Sequence, residues 1–213
     1  QVKNEVGRFY LGSQVSFGNY FKWGFLSLNF ELGTFFNKLV TNQTAFTFQA
    51  NYFTNLIDIG KWKVRQFIKP QLIIGINRQN SIGDQLSINE EYGIQGFKSA
   101  IYGNQKAMLT FQTQTYSPWT VFGFRLNPFF NYTIAMLGNE KTSLRDNQAF
   151  SKIGIGFLIT NDYLVFRTFQ ISLAYYPTIP GNGNNVLKTN AFETSDFGFQ
   201  DFGLGKPRTV IYK

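Results

Sequence analysis

Residues 124–136 read FRLNPFFNYTIAM. Phe124, Leu126, Phe130, Tyr132, Ile134 and Met136 alternate with Arg125, Asn127, Asn131, Thr133 and Ala135. Successive side chains of an extended chain point to opposite faces. The stretch therefore predicts a strand with one apolar and one more polar face. The same period of two recurs to either side. It runs through Phe9–Phe17, Leu26–Gly33, Phe46–Tyr52 and Ile68–Asn77, where Pro70 and Ile73 disturb it, and resumes at Leu109–Gln112, Lys152–Thr160 and Thr168–Tyr175. A further strand is expected near Asp196–Gly205. No segment carries helix-capping signals, and no internal repeat is visible. The expectation is an all-β, antiparallel fold of about eight or nine strands in one unit spanning residues 1–213.

Composition agrees. The chain has 25 Phe, 11 Tyr and 3 Trp, and its polar positions favour Asn, Gln, Thr, Ser and Gly. Aromatic and β-branched residues suit sheet. There is no Cys and no His, which excludes disulfides, Cys or His metal sites, and hydrolases built on a Ser-His-Asp or Cys-His group. We expect no enzyme, no catalytic residue, no metal site and no cofactor. Glu90-Glu91 is a carboxylate pair, but neighbours on an extended chain face apart. Gly181-Asn182-Gly183-Asn184-Asn185 lacks the Lys-Ser/Thr of a phosphate loop and reads as a turn. The net charge is +8. Its Lys and Arg fall singly, without the basic stripe of a nucleic-acid interface, so no nucleic-acid partner is expected.

The strands raise the question of which face is inside. No run of about 18 apolar residues exists, so no transmembrane helix is expected; a transmembrane strand needs only about 9–11 alternating residues. Three features favour a barrel with its apolar face toward lipid. The strands are long. Their polar faces are rich in uncharged residues, as a crowded lumen requires. Aromatics gather at expected strand ends: Tyr20, Phe21 and Trp23; Tyr116 and Trp119; Tyr175 and Tyr176. A soluble barrel is the alternative. Short connections at 22–24, 60–63 and 121–124 alternate with longer ones near 37–44, 78–104, 138–149 and 177–195, as turns and outer loops of such a barrel do. The chain begins at Gln1 with no signal peptide, which predicts a processed product or part of a longer polypeptide.

One ordered set of motifs extends this reading. Gly93-Ile94-Gln95-Gly96-Phe97 is followed by Gly103-Asn104-Gln105, then Ser117-Pro118-Trp119, Gly123-Phe124-Arg125 and Pro128-Phe129-Phe130. In order and spacing this resembles the C-terminal half of the BamA/TamA-type surface-antigen barrels of outer membranes, in a version closest to Bacteroidota members. The resemblance covers nearly the whole chain. It implies that residues 1–213 are the C-terminal portion of a sixteen-stranded transmembrane β-barrel, located in the cell outer membrane of a Gram-negative cell. It implies contact with outer-membrane lipid and lipopolysaccharide, client or partner outer-membrane proteins, and an N-terminal remainder on a longer polypeptide. The function implied is outer-membrane protein assembly or translocation, or a scaffold role in a larger complex. A small self-contained barrel or pore with a passive role is the alternative.

The resemblance also implies a site. In the family, an Arg-Gly-aromatic loop folds into the lumen and its Arg meets an Asp on the inner wall. Gly96 and Phe97 match that loop, and Gln95 stands in the Arg position. The wall motif falls on Asn131, Thr133 and Ala135, all three departing from it. The departures are coupled: an Arg without its carboxylate would be an uncompensated buried charge costing several kcal/mol. Two neutral partners avoid that cost, and a hydrogen bond from Gln95 to Asn131 or Thr133 would contribute about 1 kcal/mol. The expected site is thus a lumen-docking loop, Gly93, Ile94, Gln95, Gly96 and Phe97, against the inner-wall residues Asn131, Thr133 and Ala135.

Overall fold

The computed structural model describes residues 9–37, 40–78, 84–139, 144, 147–161, 168–194, 210 and 212. It is an all-β chain whose ten strands form one antiparallel sheet. The strands are β1 (Phe9–Phe21), β2 (Gly24–Asn37), β3 (Val40–Thr54), β4 (Ile57–Ile59), β5 (Trp62–Ile76), β6 (Gln105–Tyr116), β7 (Phe124–Gly138), β8 (Ala149–Asn161), β9 (Phe169–Ile179) and β10 (Gly183–Thr189). Each long strand pairs with the next, in the order β1-β2-β3-β5-β6-β7-β8-β9-β10, while the short β4 pairs with β5 beyond the end of β3. Among the described residues the sheet does not close: β1 is paired with β2 and β10 with β9, each on one side. No helix of the described residues is long and apolar enough to cross a membrane; the Glu90–Tyr92 segment is a single 3-10 turn.

The registers turn the period of two into two opposite faces. One row runs Leu26, Tyr52, Ile68, Phe111, Tyr132, Ile153, Tyr175 and Leu187 across eight strands. Every member is apolar or aromatic. A row of the other face runs Lys69, Thr110, Thr133 and Lys152 across β5 to β8. The charges obey the same division. The named strands contain nine charged residues: Glu31, Asp58, Lys63, Arg65, Lys69, Lys106, Arg125, Lys152 and Lys188. By parity and register all lie on the polar face.

Burial runs opposite to that of a soluble sheet. On the apolar face Phe30, Leu32, Leu109, Leu126, Phe130, Ile153, Ile155, Phe157, Ile171 and Leu173 are exposed. On the polar face of β7, Asn127, Phe129, Asn131, Thr133, Ala135 and Leu137 are buried. The main cover is the segment between β5 and β6, joined by Phe192 from the segment after β10, whose ring meets Phe129.

Several expectations change. The connection between β2 and β3 is residues 38–39 rather than a loop over 37–44, because both strands extend further than their clearest alternation. The stretch 177–195 is not a long loop: β9 continues to Ile179, the chain turns at 180–182, and Gly183 opens β10. Glycine and asparagine hid this strand, yet its Val186-Leu187 core pairs with Tyr176 and Tyr175. The strand expected near Asp196–Gly205 lies outside the described residues. Tyr175 and Tyr176 sit within β9 rather than at a strand end, and Tyr176 is fully buried on the polar face. The other expected aromatics do gather at one end of the sheet. Trp23 lies in the β1–β2 turn, Trp62 opens β5 and Trp119 follows β6, so all three Trp share that end. Phe21 stacks on Trp23 with ring centroids 4.8 Å apart, and Trp62 meets Trp119 edge-on at 5.2 Å.

The two irregular residues of β5 have physical explanations. Pro70 has no N–H to donate, and the β3–β5 ladder lapses there, between Gln49↔Gln71 and Tyr52↔Ile68. Ile73, an apolar residue on the polar face, is buried beneath the covering segment.

Candidate functional site

The covering segment is held at its stem, pinched at its neck and docked at its tip. At the stem, Gln43 N donates to Asn77 O at 3.1 Å, and Arg78 forms an ion pair with Asp84. Leu86 and Gly103 exchange backbone hydrogen bonds of 2.7 and 3.0 Å. At the neck the Asn89 amide bridges both strands of the loop: its Nδ2 donates to Ser99 O and its Oδ1 accepts from Ser99 N, each at 2.9 Å. The tip closes on itself, with Ile94 N donating to Ile88 O at 2.9 Å and Phe97 N to Ile94 O at 3.0 Å. These bonds satisfy much of the backbone of a segment removed from water.

The tip's apolar side chains point at the sheet. Leu86, Ile88, Ile94 and Phe97 are fully buried. They join one apolar cluster with Ile73 of β5, Phe129, Ala135 and Leu137 of β7, Phe150 of β8, and Ala174 and Tyr176 of β9. The Phe97 and Phe150 rings lie 5.6 Å apart, in a tilted pair. Each such side chain contributes about 1.5–3 kcal/mol on burial, which is what keeps an apolar tip on a sheet face that is otherwise polar.

Polar contacts fix the tip's position. The Tyr176 hydroxyl donates to Gln95 O at 2.6 Å, and Lys188 Nζ donates to Gly96 O at 2.7 Å. Asn182 Nδ2 reaches Lys98 O at 2.7 Å. Gly96 has φ +78°, the left-handed region where glycine is favoured. A Cβ there would run into the Tyr176 hydroxyl and Ala191. From the flank, the buried Lys106 of β6 donates to Ser87 O at 3.3 Å and Tyr92 O at 2.8 Å. Carbonyl oxygens thus solvate a cation that would otherwise be costly to bury.

The residues anticipated from sequence fall into two groups. Gly93, Ile94, Gln95, Gly96 and Phe97 form the tip and lie over the polar face. Ala135 belongs to the apolar cluster beneath the loop. Asn131 and Thr133 lie on the same face, and with Gly93 and Gln95 they line one cavity. The expected hydrogen bond from Gln95 to that pair does not form. Gln95 Oε1 accepts from Glu193 N at 3.0 Å, while Asn131 Nδ2 donates to Gln112 Oε1 at 3.0 Å and Thr133 Oγ lies 3.3 Å from Thr110 Oγ. The reason is register: Thr110 and Gln112 are the cross-strand neighbours of Thr133 and Asn131, and they take up the hydrogen bonds of those two residues within the wall. The tip is anchored from β9 and β10 instead.

Sequence reasoning missed those anchors. Tyr176 shares parity with Ser172 and Ala174, which places it on the polar face; counting along β9 would have found it. Lys106 shares parity with Thr110 and Gln112 in the same way. Lys188 had no such signal, because its strand was hidden among glycines and asparagines. Glu90 of the discounted carboxylate pair forms an exposed ion pair with Lys98 at 3.4 Å. Among the described residues no cluster of acidic residues is arranged to hold a metal ion.

Comparison of the chain with protein-family models, with curated proteins and with solved structures finds no match.

Proposed function

We propose that this chain forms part of the wall of an outer-membrane β-barrel with a loop docked on its lumen face, and that it serves outer-membrane protein assembly or translocation. The observation that carries the membrane reading is the division of the faces. All nine strand charges lie on the face the loop covers, and the opposite face exposes Phe, Ile and Leu in adjacent strands. In water such a contiguous apolar surface is unfavourable; in lipid it is required, and a charge on it costs about 2–4 kcal/mol at the midplane. Strands of 11–15 residues, β1 to β3 and β5 to β9, are long enough to cross. The Trp residues at one end suit an interface. Backbone in lipid must be paired throughout, so the outer edges of β1 and β10 require partners, supplied by further strands of a longer polypeptide.

The assembly role rests on the motif order around Gly93–Phe97 and Pro128–Phe130. Its test is deletion of residues 93–97 in the native host. An assembly factor loses function, and unfolded outer-membrane proteins accumulate in the periplasm. Unchanged outer-membrane protein levels contradict this role. A second reading, a scaffold subunit, is favoured by one observation: Gln95, Asn131 and Thr133 carry no charge pair between loop and wall. It predicts tolerance of the deletion and tight co-purification with another outer-membrane protein.

A further inference from the structure

Between the loop tip and the wall lies a cavity of about 190 Å³, over ten times the ~10–15 Å³ that one water needs. Its floor is the row Lys69, Thr110, Thr133 and Lys152, which spans β5 to β8 with a cation at each end and hydroxyls between. Asn131 adds an amide from the next row.

Lys152 is the telling residue. It is only 2% exposed, and its Nζ lies 4.0 Å from the centre of the Phe192 ring. The ring face attracts the charge but offers no acceptor for three N–H donors. Among the described residues, no carboxylate or carbonyl accepts from this ammonium. Buried ammonium groups are normally paired or hydrogen-bonded, because desolvation is costly. Two carboxylates, Glu90 and Glu193, also line the cavity, both on exposed residues. Glu90 is turned to Lys98, in an exposed pair, and Glu193 is itself exposed at the opening. The wall is therefore positive and donor-rich, and the negative charges stand at the solvent side.

We propose that this cavity binds a small oxyanion, phosphate or a small carboxylate, with Lys152 as its main charge partner and Lys69, Thr133 and Asn131 as further donors. The site is independent of the assembly role, since it needs only the docked loop and the wall.

The test is titration of the full-length purified protein in detergent micelles with sodium phosphate and, separately, sodium acetate. Sodium chloride at equal ionic strength serves as the reference, and calorimetry and thermal unfolding as the readouts. Saturable binding of phosphate or acetate beyond chloride is expected; the anion that binds identifies the class. Lys152→Met should weaken the dissociation constant at least tenfold, and Lys69→Met several-fold. Lys22→Met, in the exposed β1–β2 turn, should leave it unchanged. If Lys152→Met does not fold, Lys69→Met and Thr133→Val carry the test. No saturable binding of either anion overturns the proposal, as does wild-type affinity in the folded wall variants.

Discussion

β1 and β7 carry the same alternation, and their surroundings differ. In β7 the polar-face residues are buried under the loop, and several of them are not polar: Phe129, Ala135 and Leu137. In β1 both faces are exposed over almost the whole strand. Its polar face is Tyr10, Gly12, Gln14, Ser16, Gly18 and Tyr20, and the hydrophiles at its centre bond laterally: Ser16 Oγ donates to Asn29 Oδ1 at 2.6 Å, and Gln14 Nε2 to the same atom at 3.1 Å. Asn29 Nδ2 then donates to Glu31 Oε1 at 2.7 Å. Away from the loop, the polar face of β1 to β5 carries this hydrogen-bonded group and, toward the Trp end of the sheet, an aromatic row of Tyr20, Phe25, Phe53 and Phe67. Where the loop docks, the wall becomes a mosaic of apolar and very small residues. Beside the loop, the Phe192 ring from the segment after β10 lies against Gly154, where a Cβ would have no room. The breaks at Ile73, Leu137 and Phe150 mark where the loop rests on the sheet, whereas those at Phe25, Phe53 and Phe67 pack against one another.

The largest effect should come from breaking the covered half at its tightest point. Gly96→Val combines an unfavourable φ, costing roughly 1–2 kcal/mol, with a clash against Tyr176. Limited proteolysis should show residues 84–104 cut in the variant and protected in the parent. Phe97→Ala removes a fully buried ring and should destabilise by about 3–5 kcal/mol, read by denaturant unfolding. The comparison of faces is sharpened by charge. Ile155→Arg on the apolar face should cost about 2–4 kcal/mol of folding into lipid vesicles, whereas Ser16→Arg on the uncovered polar face should cost under about 0.5 kcal/mol. Tyr176→Phe removes the bond to Gln95 O and should cost about 1 kcal/mol, with the loop still docked. Gln95→Ala should have the smallest effect among the loop variants, at about 0.5–1 kcal/mol, because its side-chain oxygen bonds the backbone of the exposed Glu193.

Most of the sheet was legible because its signal is local. A period of two needs only six or seven residues to declare itself, and β2, β3, β7 and β8 each supply more. β10 was not legible. Gly183-Asn184-Asn185 reads as turn, and only pairing with β9 makes it strand. In the site, the tip was visible as a glycine-rich break between alternating runs. Its anchors were not, since Lys188 Nζ reaches Gly96 O across 92 residues of sequence. The Gln95 partner was misjudged for a related reason. Asn131 and Thr133 are satisfied by Gln112 and Thr110, and that satisfaction depends on the β6–β7 register, which alternation alone does not fix.

The central claim is that the apolar face meets lipid and the loop-covered face does not. The chain has no Cys, so single cysteines can be labelled cleanly. The most direct measurement places nitroxide labels one at a time at residues 153, 155, 157, 158 and 160 of β8, in protein folded into lipid vesicles. Accessibility to oxygen is then compared with accessibility to a water-soluble nickel chelate. Oxygen-dominated accessibility is predicted at 153, 155 and 157, and its loss at 158 and 160, which share the parity of Lys152 and are not glycines packed against a neighbour. Chelate-dominated accessibility at 153, 155 and 157, or a protein that stays folded and monomeric in water without detergent, would contradict it.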